Sequence, residues 1–155
     1  MLQVGERAPD FTAESSDGRR VSLSALRGGW AVIYFFPKAF TPGCTAETRR
    51  FRDNYPELRA LGAQVVGIST DDLDTQCRFA AENRVTFPLA ADANKEISRR
   101  FGVLWPIVPV DKRVTFVIDP EGIVRAVFRH ELQVSRHLDD VVAFLRKHAA
   151  PPSNK

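Results

Sequence analysis

The sequence has few metal-binding side chains and no long apolar run. Its 155 residues include two cysteines and three histidines, and no CxxC pair occurs. A metal site is therefore not expected. A membrane span needs about 20 apolar residues, and the longest apolar run, at 30–37, has only the length of a strand. The start of the chain also lacks the basic and apolar parts of a signal peptide, which predicts a cytoplasmic protein that does not bind membranes.

An excess of charge of one sign is also missing. The 22 basic and 19 acidic residues are interspersed and give a net charge of +3, so nucleic-acid binding is not expected. Hydrophobic residues make up 44% of the chain and charged residues 26%, as is usual for globular proteins. The length fits one domain. We expect this domain to cover residues 1–150, with a flexible tail at 151–155.

Strand and helix patterns alternate along the chain. Strands are predicted at 31–36, 64–69, 87–90, 114–118 and 123–128. Helices are predicted at 43–61, 72–83, 94–101 and 135–148. Residues 11–26 are predicted to form an N-terminal hairpin and turn. This order predicts an α/β protein of thioredoxin-like fold, with a central mixed sheet flanked by helices and an N-terminal β-hairpin extension.

One segment carries residues suited to covalent chemistry. Cys44 falls in the first turn of the helix that follows the strand at 31–36. Unpaired N–H groups and the positive end of the helix dipole favour an anion there, and the thiolate is the reactive form of cysteine. Thr41 places a hydroxyl three residues earlier, able to bond a thiolate or a bound oxygen. Pro37 and Pro42 stiffen the loop. Cys44 is therefore the candidate nucleophile.

This segment resembles a known active-site signature. The pattern Pro37-x-x-x-Thr41-x-x-Cys44 resembles that of the peroxiredoxins. The string from Thr41 to Glu47 is similar to the bacterioferritin-comigratory, or Q-type, branch of the alkyl hydroperoxide reductase/thiol-specific antioxidant family. Three further segments resemble the family in the same order along the chain, at 5–11, 17–28 and 113–122.

The resemblance implies a thioredoxin-dependent peroxidase that reduces hydrogen peroxide and organic hydroperoxides. In such an enzyme the Cys44 thiolate attacks the peroxide and becomes a sulfenic acid. Thr41 and the backbone N–H of Cys44 would hold the peroxide, while Arg113 would polarise it and keep the sulfur ionised. Glu47 matches a position that orients an arginine. The resemblance implies no cofactor or metal, and a reductant that is a thioredoxin-type protein or a low-molecular-weight thiol.

The sequence departs from the Q-type pattern at the second thiol. Many Q-type members carry a resolving cysteine five residues after the first, where this chain has Arg49. Two routes remain open: an external thiol reduces Cys44 directly, or Cys77 resolves the sulfenic acid. Some Q-type members place their resolving cysteine on the helix that corresponds to the one carrying Cys77. A monomer and a homodimer are both compatible with this pattern.

Helical geometry leaves the orientation of Cys77 open. If the core face follows an apolar stripe, the Cys77 sulfur is buried; the stripe consists of Leu73, Cys77, Ala80 and Ala81. If Phe79 marks the core face, Cys77 lies about 200° around the helix and points to solvent.

Another departure concerns the substrate. Ala39 and Phe40 replace an acidic pair that is common in the branch, which favours organic hydroperoxides.

Two other functions remain open. One alternative function is a non-catalytic redox sensor or holdase on the same fold. A thioredoxin-like disulfide reductase is the weaker alternative, because no CxxC pair surrounds Cys44.

Overall fold

The computed structural model describes residues 1–129 and 134–149. The strands are β1 (Thr12–Glu14), β2 (Arg20–Ser22), β3 (Trp30–Phe35), β4 (Ala63–Ser69), β5 (Leu89–Ala91), β6 (Val114–Ile118) and β7 (Val124–Arg129). The helices are α1 (Pro42–Ala60), α2 (Leu73–Glu82), α3 (Glu96–Phe101) and α4 (Val134–His148), with a short 3-10 turn at Ser24–Leu26. The predicted tail at 151–155 lies outside the described residues.

Strands β3 to β7 form one mixed sheet in the order β5-β4-β3-β6-β7. Strand β3 runs parallel to β4 and antiparallel to β6, and β4 runs parallel to β5. Strands β6 and β7 form the late hairpin, and β1 with β2 forms a separate antiparallel hairpin. The predicted thioredoxin-like sheet and its N-terminal extension are confirmed.

The central strand β3 separates two apolar cores. Val32 and Tyr34 pack into a core formed largely by α1, α2 and α4, whereas Ile33 and Phe35 pack into a second core with α3 and the N-terminal hairpin. Successive residues of a strand point to opposite faces, so an apolar run such as β3 fits a strand covered on both sides. Helix α1 therefore packs against one face of the sheet, and Cys44 belongs to the core on that face.

Tyr34 fixes the position of α1 over the sheet. Its hydroxyl forms a 3.0 Å hydrogen bond with the Thr48 hydroxyl of α1, and its ring stacks on Phe51 at a centroid distance of 4.4 Å. On the other side the ring lies over Gly67, where an added Cβ would come within 2.7 Å of the Tyr34 Cζ atom. Burial raises the pKa of Tyr34 well above its ordinary value, so the phenol stays neutral.

Two short elements differ from their predicted bounds. Strand β5 begins at Leu89 and not at 87, since Pro88 has no N–H to donate to a neighbouring strand. Helix α3 begins at Glu96 and not at 94, because Lys95 has a φ of 64° and left-handed backbone cannot belong to a right-handed helix. The Asp92 carboxylate instead accepts the N–H groups of Ile97 and Ser98 at the start of this helix.

Candidate active site

Cys44 lies in the first turn of α1, and its side chain is fully buried. Thr41 precedes the helix in extended backbone, and Pro42 takes the first helical position. The N–H of Thr45 donates to the carbonyl of Thr41 at 2.9 Å, which closes the first helical turn. The N–H groups of Gly43 and Cys44 precede that bond, so they have no acceptor within the helix and remain available to an anion or a bound oxygen.

Arg113 links Cys44 to Glu47. Its Nη2 atom donates to the Cys44 Sγ atom at 3.6 Å, and its Nη1 atom donates to the Glu47 Oε1 atom at 2.6 Å. Glu47 lies one helical turn after Cys44, and Arg113 immediately precedes β6, whose first residue, Val114, pairs with Phe35. The sheet register therefore brings Arg113 to the start of α1.

Arg113 carries a stabilised positive charge although its side chain is buried, with only 8% of it exposed. Burial alone lowers the pKa of Arg113, but the Glu47 carboxylate and the Cys44 sulfur outweigh it and raise that pKa above its ordinary value. The guanidinium therefore stays protonated at the sulfur. A charged donor next to a thiol favours the thiolate.

The Thr41 hydroxyl does not bond the Cys44 sulfur, which is one of the partners expected from the sequence. The hydroxyl instead donates to the carbonyl of Lys38 at 2.7 Å. This bond closes the loop that leads from β3 into α1. Pro37, half-buried, stands at the start of the same loop. The oxygen of the Thr41 hydroxyl keeps its lone pairs as acceptors.

No sequence pattern indicated that Asp71 supports the loop before Cys44. The Asp71 Oδ2 atom accepts the N–H of Ala39 at 2.8 Å and the hydroxyl of Ser69 at 2.7 Å. It thereby ties the loop before Cys44 to the turn after β4. The residues at 69–72 are of types that commonly begin helices, and Asp72 does accept the N–H of Thr75 at the start of α2.

Phe40 joins the active-site loop to α2. Its backbone is left-handed, with a φ of 70°, a conformation that costs free energy for a side chain with a Cβ. The ring packs edge-on against Phe79 at 5.2 Å, and the Arg78 guanidinium lies 5.8 Å from the ring centroid. Its side chain remains 40% exposed beside the start of α1.

Cys77 lies on α2 and is exposed, and both cysteines are free thiols. The stripe that would have buried Cys77 is therefore wrong, and the alternative set by Phe79 is confirmed. Phe79 is fully buried against Phe36, and the Gln76 side chain donates to the carbonyl of Ala90 at 2.7 Å. These two contacts fix the inner face of α2 and turn Cys77 to solvent.

Arg49 occupies the position of the usual second cysteine. Its Nε atom donates to the Asn83 side chain at 2.8 Å, and Arg52 donates to the Asn83 carbonyl at 2.7 Å. Asn83 ends α2. Arginines on α1 thus hold the far end of the helix that carries Cys77.

Two kinds of feature are absent from residues 1–129 and 134–149. No group of three or more histidine, cysteine, aspartate or glutamate side chains there is arranged to hold a metal ion. None of the helices in this part of the chain is both long and apolar enough to cross a membrane.

The thioredoxin-like sheet places one buried cysteine at the start of a helix, beside an arginine. No CxxC partner accompanies this cysteine. Such an arrangement is typical of thiol peroxidases. The chain belongs to the AhpC/TSA family, which matches residues 4–127. The family and branch predicted from the sequence are confirmed.

Individual relatives support this assignment over nearly the whole chain. The chain is 37% identical over 148 residues to the chloroplastic peroxiredoxin Q of Populus jackii, which covers 94% of this chain and 68% of that protein. Peroxidoxin BcpB of Mycobacterium tuberculosis superimposes with a TM-score of 0.89 at 36% identity, covering 96% of this chain and 99% of that one. The bacterioferritin comigratory protein of Xanthomonas campestris, solved in a study of its alkyl peroxide reduction activity, gives 0.86 at 34% identity, with 96% and 98% covered.

Proposed function

We propose that this protein is a thiol-dependent peroxidase in which Cys44 reduces hydrogen peroxide and organic hydroperoxides. The observation that carries the proposal is the Arg113 guanidinium, which donates to the buried Cys44 sulfur at 3.6 Å and is itself held by Glu47. A nucleophilic sulfur needs its charged form, and a peroxide needs donors for the charge that develops as its O–O bond breaks. Arg113 supplies both.

The reaction transfers one oxygen to sulfur. The Cys44 thiolate attacks one peroxide oxygen, an S–O bond forms, and the O–O bond breaks with its electron pair on the other oxygen. That oxygen takes a proton and leaves as water or an alcohol, while Cys44, oxidised by two electrons, becomes a sulfenic acid. The N–H groups of Gly43 and Cys44, with the Thr41 hydroxyl, form the cradle that we propose for the peroxide.

The site entrance favours organic hydroperoxides alongside hydrogen peroxide. Phe40 replaces an acidic side chain in the loop before Cys44 and keeps two-fifths of its surface exposed. An apolar ring at this place offers contact to an alkyl group, whereas an acidic side chain would lose hydration against it. The Xanthomonas campestris relative is described by its alkyl peroxide reduction activity.

We propose that Cys77 resolves the sulfenic acid. The Cys77 thiol attacks the Cys44 sulfur, a disulfide forms and water leaves. Cys77 is exposed while Cys44 is buried, and a disulfide requires Cα atoms within about 7 Å. The first turn of α1 must therefore unwind before the disulfide forms. A thioredoxin-type protein or a low-molecular-weight thiol then restores both cysteines.

The cycle uses only residues of one chain, so it is compatible with a monomer or a homodimer. The protein works in the reducing cytoplasm, where a thiol reductant is supplied. Nucleic acid and membranes take no part in it.

Steady-state peroxide consumption tests the proposal. We expect wild type to consume peroxide with either a thioredoxin system or a small dithiol, and Cys44→Ser to be inactive with both, because serine is a poor nucleophile at neutral pH. Cys77→Ser retains turnover with the small dithiol and loses it with thioredoxin.

A Cys44→Ser protein that still turns over peroxide contradicts the function. A wild-type protein that completes a single turnover without reaching steady state would favour the redox sensor. Insulin reduction by wild type would favour the disulfide reductase.

A further inference from the structure

Asp111 is a fully buried carboxyl group outside the catalytic residues. It lies at the end of the segment 104–111, where its backbone pairs with Leu104 two residues before Arg113. Neither of its side-chain oxygens has a hydrogen-bond partner among the described residues. A carboxylate buried without donors is strongly destabilised, whereas a protonated carboxyl is not.

Two other carboxyl groups, Asp92 and Asp71, act electrostatically on Asp111, and both accept hydrogen bonds. Asp92, which follows β5, accepts two N–H groups and the Ser98 hydroxyl. Asp71, which follows β4, accepts the N–H of Ala39 and the hydroxyl of Ser69. Both of these carboxyl groups are therefore hydrogen-bonded by neighbouring donors.

The neighbouring cations are directed elsewhere. The Lys112 ammonium lies 5.3 Å from the centroid of the Trp105 ring, and Arg113 is engaged by Glu47 and Cys44. Neither of these two cations is therefore paired with Asp111.

The titration of Asp111 agrees with this geometry. Burial, with the charges of Asp92 and Asp71, raises the pKa of Asp111 to about 8, although the nearby Ser98 hydroxyl partly offsets the shift. The group is thus neutral at pH 7 and ionises under mildly alkaline conditions.

Two connections lead from Asp111 to the candidate active site. The chain continues directly to Arg113, and the intervening N–H of Lys112 donates to the carbonyl of Val103 at 2.7 Å. The second connection runs through Asp71, which holds the N–H of Ala39 in the loop before Cys44. A new negative charge at Asp111 repels Asp71 and disfavours the buried position of the segment that precedes Arg113.

We propose that Asp111 is a positioning residue of the peroxidase site that acts in its protonated form, and that its ionisation displaces Arg113 from Cys44. The proposal rests on the proposed function, since it concerns the rate of Cys44 oxidation. It adds a residue, and an upper pH limit, that the catalytic groups alone do not provide.

The pH profile of Cys44 oxidation tests this role. The rate constant with hydrogen peroxide is measured in single turnover for wild type, Asp111→Asn and the matched control Asp74→Asn, an exposed residue of α2 paired with Arg78. We expect wild type and Asp74→Asn to lose about tenfold in rate one pH unit above the Asp111 midpoint. Asp111→Asn, which is permanently neutral, keeps its rate there.

Infrared spectroscopy of the wild type gives an independent readout. We expect the carbonyl band of a protonated carboxyl at neutral pH, its loss in mildly alkaline solution, and its absence in Asp111→Asn. An alkaline loss of rate that persists in a folded Asp111→Asn protein overturns the proposal, as does a wild type without the band. If Asp111→Asn does not fold, the wild-type band decides alone. Rapid oxidation of Cys44 at neutral pH leaves the peroxidase function intact in every case.

Discussion

Arg113 uses its two terminal nitrogens for different purposes. One donates to Glu47, which fixes the guanidinium, and the other donates to the Cys44 sulfur. A buried ion pair of this kind adds little net stability, because desolvation of both groups offsets their attraction. In the proposed reaction, this pair places a fixed positive charge next to the thiolate and the leaving oxygen.

Replacing Arg113 with alanine is expected to slow sulfenic acid formation by about 10²–10³-fold, as for the loss of one donor to developing charge. Stopped-flow measurement of Cys44 oxidation under excess peroxide gives the rate. An unchanged rate would remove Arg113 from the site.

The buried Glu47 carboxylate requires a control for this substitution. Arg113→Ala leaves that carboxylate without its ion pair, which destabilises the fold by about 3–5 kcal/mol. The double variant Arg113→Met/Glu47→Gln removes both charges of the pair, so it is expected to recover most of the stability and none of the rate. Recovery of both would make the pair purely structural.

At the scale of residues, the proximity of Cys44 and Arg113 was more predictable from the sequence than the contacts that hold the surrounding loops. The signature around Cys44 and the strand after Arg113 are local, and the sheet register brings them together as the resemblance implied. The bond of Thr41 to Lys38 and the bond of Asp71 to Ala39 depend on how loops fold in space. No short sequence pattern specifies such contacts.

Helix α2 shows why an element can be predicted while its orientation is not. Leu73, Ala80 and Ala81 suggested one face and Phe79 another. The larger aromatic area of Phe79 decides the orientation, because burying it yields more free energy than burying small side chains. Cys77 is exposed as a consequence.

Phe40→Ala is expected to speed formation of the Cys44–Cys77 disulfide. The Phe79 contact contributes about 0.5–1.5 kcal/mol and the Arg78 contact about 0.5–1 kcal/mol. Their loss makes opening of the loop about tenfold more frequent. Acid quenching and mass analysis of the sulfenic acid and the disulfide over time measure this step. Phe40→Tyr, which keeps the ring, serves as the control and should match wild type; equal rates in all three proteins would contradict the role of Phe40.

Gly67→Ala is expected to destabilise the sheet by about 1–3 kcal/mol, because overpacking a tight core forces neighbours to shift. The new Cβ would meet Tyr34 Cζ at 2.7 Å and Leu89 Cδ2 at 2.8 Å. Urea unfolding measures the change. Gly29→Ala is the matched control, since its Cβ meets only the Gly62 carbonyl at 3.4 Å. A Gly67→Ala protein as stable as the control would mean that Tyr34 is less tightly held than the structure shows.

For the whole molecule, the raised pKa of Asp111 predicts how stability depends on pH. Between the ordinary aspartate value near 4 and the native value of about 8, the folded state binds a proton that the unfolded state has released. Stability therefore falls as pH rises through this window, by up to about 1.4 kcal/mol per pH unit, and levels off above it. Urea unfolding across this range should show the decline in wild type and a flatter profile in Asp111→Asn. Identical profiles would mean that Asp111 titrates normally.

The order of strands and helices was predictable because each long element has its own periodicity and its own capping residues. The bounds of short elements were less predictable. Strand β5 and helix α3 each begin two residues later than expected, because of Pro88 and Lys95. Contacts between distant elements, such as the surface ion pair of Arg50 with Asp139 that joins α1 to α4, leave no local pattern. Such exposed pairs contribute about 0–1 kcal/mol and do not determine the fold.

The most direct test of Cys44 as the nucleophile is the intact mass of the protein after an equimolar dose of hydrogen peroxide without reductant. Wild type is expected to lose two hydrogens, as a Cys44–Cys77 disulfide forms, and Cys77→Ser to gain one oxygen as a sulfenic acid. Cys44→Ser should keep its mass. An oxygen adduct on wild type and Cys77→Ser alike would leave Cys44 as the nucleophile and assign its reduction to an external thiol. Oxidation of Cys44→Ser, or an unchanged wild type, would contradict the peroxidase site described here.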